Sequence, residues 1–157
     1  MKKIILCLSA LPVIAFANTQ FAKQCQVSGI KYSHKSVSLF SQHTAKPRLY
    51  AIENTSKHPI WLNHQRKQVG MGAGWASELF PNHWSALLVT KRVFGLQCQI
   101  AKKSGGMPSV PCKKVLHVCQ FGQFDSKNPM MGGYWVVENV LFPALEPRMR
   151  KRGFKMS

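Results

Sequence analysis

The sequence predicts an all-β fold, and three observations support that prediction. Several segments alternate apolar and polar residues with the two-residue period of a half-buried strand, as residues 94–100 do, where Phe94, Leu96 and Cys98 share one face. Turn-forming residues separate these segments at short intervals. No long segment shows the 3.6-residue apolar period of an amphipathic helix. We therefore predict a single antiparallel β-sandwich or barrel-like domain of about seven strands, with disulfides.

Seven segments carry the strand pattern along the chain. In order, they span residues 36–40, 48–54, 59–63, 84–90, 94–100, 115–121 and 134–141. The segment around His117 has apolar residues on both faces, which is typical of a strand in the middle of a sheet. Turn-forming residues at 54–56, 81–82 and 105–108 lie between the segments.

The last segment of the chain is strongly basic. A short terminal helix over residues 142–155 is one interpretation, but Pro143 and Pro147 favour an extended tail. We predict that residues 148–157 form a basic C-terminal tail, which either binds a partner or is only solvated. The candidate binding residues in it are Arg148, Arg150, Lys151 and Arg152.

The first 17 residues have the pattern of a secretory leader. Two lysines precede an apolar run, and residues 15–17 (Ala-Phe-Ala) supply small residues at the cleavage positions. Pro12 interrupts the run, which is shorter than the roughly 20 apolar residues of a membrane span. We predict a signal peptide over residues 1–17, one domain over residues 18–147, and no integral membrane span after cleavage.

Four cysteines remain after cleavage, and an even number in an oxidising compartment indicates two disulfides. A single strand over residues 113–121 would hold Cys112 and Cys119 about 23 Å apart, whereas a disulfide tolerates roughly 7 Å between Cα atoms. A loop rich in glycine and proline joins Cys98 to Cys112, so these two can close a hairpin. Of the remaining pairings we favour Cys98 with Cys112 and Cys25 with Cys119. No C-x-x-C pair supports a metal or redox site instead.

The mature chain carries a large positive charge. Loss of Lys2 and Lys3 takes the basic count from 22 to 20 against 5 acidic residues, a formal charge of +15. Such a charge predicts attraction to an anionic surface or an acidic protein partner, weakened by salt. No zinc finger, helix-turn-helix or RNA-binding signature is present, so we predict no nucleic-acid partner.

Enzymatic chemistry finds little support in the sequence. The Gly70-x-Gly72-x-Gly74 segment lacks the ending of a phosphate-binding loop, and no G-x-S-x-G elbow is present. The five acidic residues suggest neither a calcium loop nor a paired-carboxylate site. We predict no catalytic residue, no cofactor and no metal. An unpaired reactive cysteine, or a cleft that brings His117 together with an acidic residue, would reopen the enzyme hypothesis.

Residues 74–87 contain a dense group of aromatic residues. Such a concentration favours packing in the core and at turns over an exposed binding surface. If either Trp75 or Trp84 were exposed, it would become the leading contact residue, and both are therefore candidate binding residues.

The same region resembles the enhanced entry protein B family of small exported proteins from intracellular bacterial pathogens. The similar residues are YAIENTS at 50–56, PIWL at 59–62, the segment 74–87, Phe94-x-Leu96-x-Cys98 and Val118-Cys119. They span most of residues 50–121 and mark aromatic and structural positions, so no catalytic residue is carried over. The resemblance implies a bacterial envelope or surface protein associated with host-cell entry, located in the periplasm, at the cell surface or outside the cell.

Three hypotheses of function follow. The first is a non-enzymatic exported protein that supports bacterial entry into host cells by binding a host-cell or envelope component. The second is a periplasmic binder of anionic envelope polymer, or an accessory factor for cell-wall enzymes. The third is a secreted enzyme stabilised by disulfides. We favour the first.

Overall fold

A computed structural model describes residues 25–41, 47–64, 75–90, 92–102, 105–123 and 133–154. The predicted signal peptide and the glycine-rich segment 70–74 lie outside these residues. Within them the chain forms ten strands and two short helices. The elements are β1 Ile30–Tyr32, β2 Ser36–Phe40, β3 Arg48–Asn54, β4 Ile60–His64, β5 Trp75–Leu79, β6 His83–Val89, β7 Val93–Ile100, β8 Ser109–Val110, α1 Cys112–Val115, β9 Leu116–Gln123, β10 Gly133–Leu141 and α2 Phe142–Lys151.

The predicted all-β class is confirmed, and all seven predicted strands form within one or two residues of their expected bounds. Three further strands, β1, β5 and β8, were not predicted. β1 and β8 are only three and two residues long, too short to show an alternating pattern. They form because β2 and β7 offer them unpaired backbone groups.

The strands make two antiparallel sheets. Sheet I has the order β1-β2-β7-β4-β5, with β8 also paired to β7, and sheet II has the order β10-β6-β3-β9. Apolar residues from both sheets share one buried cluster, which we call the inter-sheet core; it includes Leu39, Ile52, Leu62, Leu87 and Leu96. The domain is therefore a sandwich of two sheets.

Sheet II carries buried residues on both faces. In β3, Tyr50 and Ile52 point into the inter-sheet core, while Leu49 and Ala51 point the other way. The second face carries its own buried cluster, which we call the helix-side core, completed by Leu145 and Met149 of α2. A near-continuous apolar run in β3 is the sequence signal of such a doubly covered strand.

Tyr50 connects the two sheets across the inter-sheet core. Its hydroxyl donates to the carbonyl oxygen of Phe40 at 2.6 Å and accepts from the Phe40 N–H at 3.2 Å. The side chain is fully buried. Burial raises the pKa of the Tyr50 hydroxyl above its ordinary value of 10.0, and nearby Arg48 offsets part of that rise.

The C-terminal residues form a helix, so the extended tail we predicted from the two prolines is wrong. Pro143 lies in the first turn of α2, where a missing N–H removes no hydrogen bond, and Pro147 removes only one bond further on. Leu145 and Met149 are buried, which offsets that loss. The boundary drawn before Arg148 falls inside this helix.

The end of α2 is built as a Schellman motif. Gly153 adopts φ +85°, its N–H donates to the Arg150 carbonyl at 2.9 Å, and the Phe154 N–H donates to the Met149 carbonyl at 3.2 Å. Phe154 is itself buried in the helix-side core. The helix end is thus anchored to sheet II, and the basic residues before it are part of the folded domain.

Both disulfides have the pairing that we favoured. Cys98 and Cys112 join β7 to the start of α1 with 5.4 Å between Cα atoms, and Cys25 and Cys119 join the amino-terminal segment to β9 with 4.9 Å. Two disulfides indicate an oxidising, extracytoplasmic compartment.

Candidate functional site

A row of side chains crosses sheet II near the disulfide of β9. In the strand register, Glu53 of β3 lies opposite Trp84 of β6 on one side and His117 of β9 on the other. Two residues further along the same strands, Ala51 pairs with Cys119. Because side chains on one face of a sheet recur every second residue, this pair lies on the same face as Glu53 and His117. We call Cys25, Glu53, His117 and Cys119 the His117 cluster.

Glu53 and His117 form an ion pair when the imidazole is protonated. The distance from Glu53 Oε2 to His117 Nδ1 is 3.3 Å, and the side chains are 23% and 48% exposed, respectively. A carboxylate next to Nδ1 favours a hydrogen on that nitrogen in both protonation states of the ring. His117 Nε2 is therefore the ring nitrogen that carries the lone pair in the neutral imidazole.

Both sulfurs of the Cys25–Cys119 disulfide face His117 Nε2. The distances are 3.6 Å to Cys25 Sγ and 3.7 Å to Cys119 Sγ. Cys119 is fully buried, whereas Cys25 is half-buried and His117 is exposed. The cluster thus opens to solvent on the side of Cys25 and His117.

Trp84 supports the cluster from the protein interior. Its ring meets the imidazole of His117 edge-on, with 5.9 Å between centroids, and packs against Phe142 of α2 at 5.5 Å. Only 6% of the residue is exposed, so Trp84 does not meet the condition set for a contact residue and packs in the interior, as we favoured for this aromatic group. Trp75 begins β5 opposite His64, and its side chain lies outside the described part of the protein.

The cluster supplies the two residues of one condition that would reopen the enzyme hypothesis, a cleft with His117 and an acidic residue, and their side chains are 48% and 23% exposed. It does not meet the other, because both nearby sulfurs are joined in a disulfide and neither is a nucleophilic thiol in this state. In the oxidised protein the arrangement is an imidazole–carboxylate pair beside a disulfide, with His117 Nε2 as the ring nitrogen that faces the sulfurs.

From the sequence, Cys25 and Cys119 were predicted to pair, but no sequence signal placed Glu53 and His117 beside them. Glu53 and His117 are 64 residues apart, and Cys25 and Cys119 are 94 residues apart. Both strands were predicted, but their antiparallel register was not, and that register alone decides which residue lies opposite His117. A sequence signal existed only in the spacing of His117 and Cys119, which places both on one face of β9.

A second candidate surface is the solvent-facing side of α2. The four predicted binding residues, Arg148, Arg150, Lys151 and Arg152, are all exposed. Arg150 donates two hydrogen bonds to Glu146 Oε1, at 2.7 and 2.9 Å. Among the residues that the structure describes, the ion pairs are this one and the pair of Glu53 with His117. Three cations at the end of α2 are thus free of ion pairs to described residues.

No helix in the described ranges is both long and apolar enough to cross a membrane. Comparison of the chain with protein-family models, curated proteins and solved structures finds no match.

Proposed function

We propose that this protein is an exported, non-enzymatic envelope or surface protein of a bacterium, which binds an anionic partner through α2 and supports entry into host cells. The observation that carries the proposal is the basic end of α2. Arg148 lies three and four residues before Lys151 and Arg152, a spacing that brings helix side chains together on the surface.

The rigid mounting of these cations favours binding over simple solvation. Leu145 and Met149 fix the inner side of α2 against sheet II, and the Schellman motif fixes its end. A preorganised cationic surface loses less conformational entropy on binding than a flexible tail does. Cations at a helix C-terminus also interact favourably with the helix dipole, but that interaction is worth only about 0.3–1 kcal/mol each and does not require a cluster.

Export and host-cell entry have separate support. The two disulfides fit a protein that folds outside the cytoplasm. The resemblance of residues 50–121 to the enhanced entry protein B family supports a role in entry. The partner is either a host-cell component or an anionic envelope polymer, since both offer the same negative charge.

Binding to heparin and to vesicles that contain anionic phospholipid tests the cationic surface. The variant R148Q/K151Q/R152Q should bind at least ten-fold more weakly than the wild type at low salt, because three phosphate or sulfate contacts are lost. The matched control is K31Q/K35Q/K57Q, which removes the same charge from exposed positions on and beside sheet I. Equal loss in both variants would mean that net charge alone drives binding and would overturn the assignment to α2.

The role in entry is tested in the bacterium that encodes the protein. We expect protease treatment of intact cells to digest the protein, and a strain producing R148Q/K151Q/R152Q to enter host cells less often than a strain producing K31Q/K35Q/K57Q. Protection until the outer membrane is opened would instead favour a periplasmic binder of envelope polymer, or an accessory factor for cell-wall enzymes, whose effect on entry is indirect.

A further inference from the structure

We propose that reduction of the Cys25–Cys119 disulfide converts the His117 cluster into a Zn²⁺ site, with Cys25 Sγ, Cys119 Sγ and His117 Nε2 as ligands. These three atoms lie within 4.8 Å of one another. Two thiolates and one imidazole are a usual protein ligand set for zinc, and three protein ligands leave the fourth tetrahedral position open to water or another small ligand.

The distances in the cluster fit a tetrahedral ion. Zinc bonds of about 2.3 Å to sulfur and about 2.0–2.1 Å to nitrogen, at a tetrahedral angle, place the sulfur and nitrogen ligands about 3.6 Å apart. The two distances from His117 Nε2 to sulfur are 3.6 and 3.7 Å. Both nitrogen–sulfur distances therefore already fit zinc coordination. Only the two sulfurs are too close together, because they are bonded to each other.

Glu53 completes the arrangement by contacting the other ring nitrogen of His117. A histidine that binds zinc usually donates its other ring N–H to a carboxylate, which fixes the orientation of the ring and increases its basicity. His117 Nδ1 lies 3.3 Å from Glu53 Oε2 while Nε2 faces the sulfurs. The tautomer and the direction needed for a zinc ligand are therefore set before any metal arrives.

The ligands stay close together without the disulfide. Gln26, next to Cys25, exchanges backbone hydrogen bonds with Gln120 of β9, at 2.9 and 3.4 Å. Ser28 donates to the Gln120 side-chain oxygen at 3.1 Å. These contacts hold the amino-terminal segment beside β9 independently of the sulfur–sulfur bond, so Cys25 remains near Cys119 after reduction.

The reductant is a thiol, either a small molecule or a protein. Its thiolate attacks the half-buried Cys25 Sγ and releases the Cys119 thiolate; a second thiol then resolves the mixed disulfide, so that two external thiols become one external disulfide. Zn²⁺ then binds the two sulfurs with loss of any protons they still carry. The other disulfide is buried in the inter-sheet core and is protected from the same attack.

The test uses the mature full-length protein in its oxidised and thiol-reduced forms, with excess reductant removed without air. Co²⁺ and Zn²⁺ are added in separate titrations. The absorption of bound Co²⁺ reports thiolate ligation, and competition with a chelator gives the affinity for Zn²⁺. We expect one Zn²⁺ per reduced chain, and at least 100-fold weaker binding by the oxidised form, which offers no thiolate.

Three variants identify the ligands. H117A should weaken Zn²⁺ binding by the reduced protein about 100-fold. E53Q should weaken it about ten-fold, because the His117 ring loses the carboxylate that orients it. H34A is the matched control, since His34 is exposed in the turn before β2, and it should bind as the wild type does. Equal affinities of H117A and H34A, or of the oxidised and reduced proteins, would overturn the proposal.

Circular dichroism distinguishes a preformed site from one that depends on folding. If the reduced protein loses its β-sheet signal, Zn²⁺ should restore it in the wild type and not in H117A. Failure of Zn²⁺ to restore the wild-type signal would overturn the proposal. These outcomes do not depend on the anionic partner, because none of the proposed zinc ligands is one of the basic residues at the end of α2.

Discussion

The two disulfides join cysteines in different surroundings. Cys98 and Cys112 are both fully buried in the inter-sheet core, where their neighbours are apolar side chains of both sheets. Cys25 and Cys119 lie on the other face of sheet II, where His117 reaches solvent and touches both sulfurs. The Cys98–Cys112 disulfide is thus enclosed in a core, whereas the Cys25–Cys119 disulfide lies beside the Glu53–His117 pair.

The sequence separation of two paired cysteines therefore does not show which disulfide is open to reduction or metal binding. Loop-closure entropy attributes about 3 kcal/mol to a crosslink of about 15 residues and about 4.7 kcal/mol to one of about 100 residues. Both disulfides therefore stabilise the fold. Only Cys25–Cys119 combines that role with access for a thiol and with a nitrogen ligand beside it.

The largest expected difference between the two disulfides is their rate of reduction. Under native conditions, Cys25–Cys119 should be reduced by dithiothreitol on the order of 100-fold faster than Cys98–Cys112, because attack on the buried pair requires opening of the inter-sheet core. Timed alkylation followed by peptide mass mapping measures both rates. Equal rates would mean that global unfolding limits both reactions, and the contrast between the two surroundings would fail.

The next largest difference concerns stability. Ile52→Ala removes a fully buried side chain from the inter-sheet core and should lower the free energy of unfolding by about 2–5 kcal/mol. His117→Ala removes a half-exposed ion pair and should lower it by less than about 1 kcal/mol. Urea denaturation of the two oxidised variants provides the comparison. A loss in H117A as large as that in I52A would show that the His117 cluster is primarily a structural element.

The smallest expected effect is a loss of stability at alkaline pH, which originates at Tyr50 in the inter-sheet core. Burial raises the pKa of Tyr50 above 10.0, so the folded protein keeps a proton that the unfolded chain releases as the pH rises above that value. The stability contributed by this proton is fully present below about pH 10 and is lost as the pH rises through the pKa of Tyr50 in the folded protein. The free energy of unfolding falls by at most about 1.4 kcal/mol per pH unit over that range. Urea curves at pH 9 and 11 should therefore separate more for the wild type than for Y50F; parallel changes would show that other groups cause the alkaline loss.

Local signals in the sequence predicted most of the fold. The alternation at residues 94–100 is a property of neighbouring residues, and that segment forms β7. The prediction of a central strand around His117 is wrong, because β9 lies at the edge of sheet II. For the terminal segment, Pro143 and Pro147 favoured an extended tail over the alternative of a helix, although Gly153 follows a basic last turn, which is typical of a helix end. Burial of Leu145 and Met149 against sheet II decided the conformation there, and tertiary packing of that kind is invisible to local propensity.

The all-β class, the positions of seven strands, the large positive charge and the candidate cysteines could be read from the sequence, because each depends on composition or on residues close together in the chain. The meeting of Glu53 with His117, and of Cys25 with both, depends on how the strands pair. Strand register and sheet order bring together Glu53 and His117, which are 64 positions apart, and Cys25 and Cys119, which are 94 positions apart. A shift of the register by one residue would have turned His117 to the other face of the sheet.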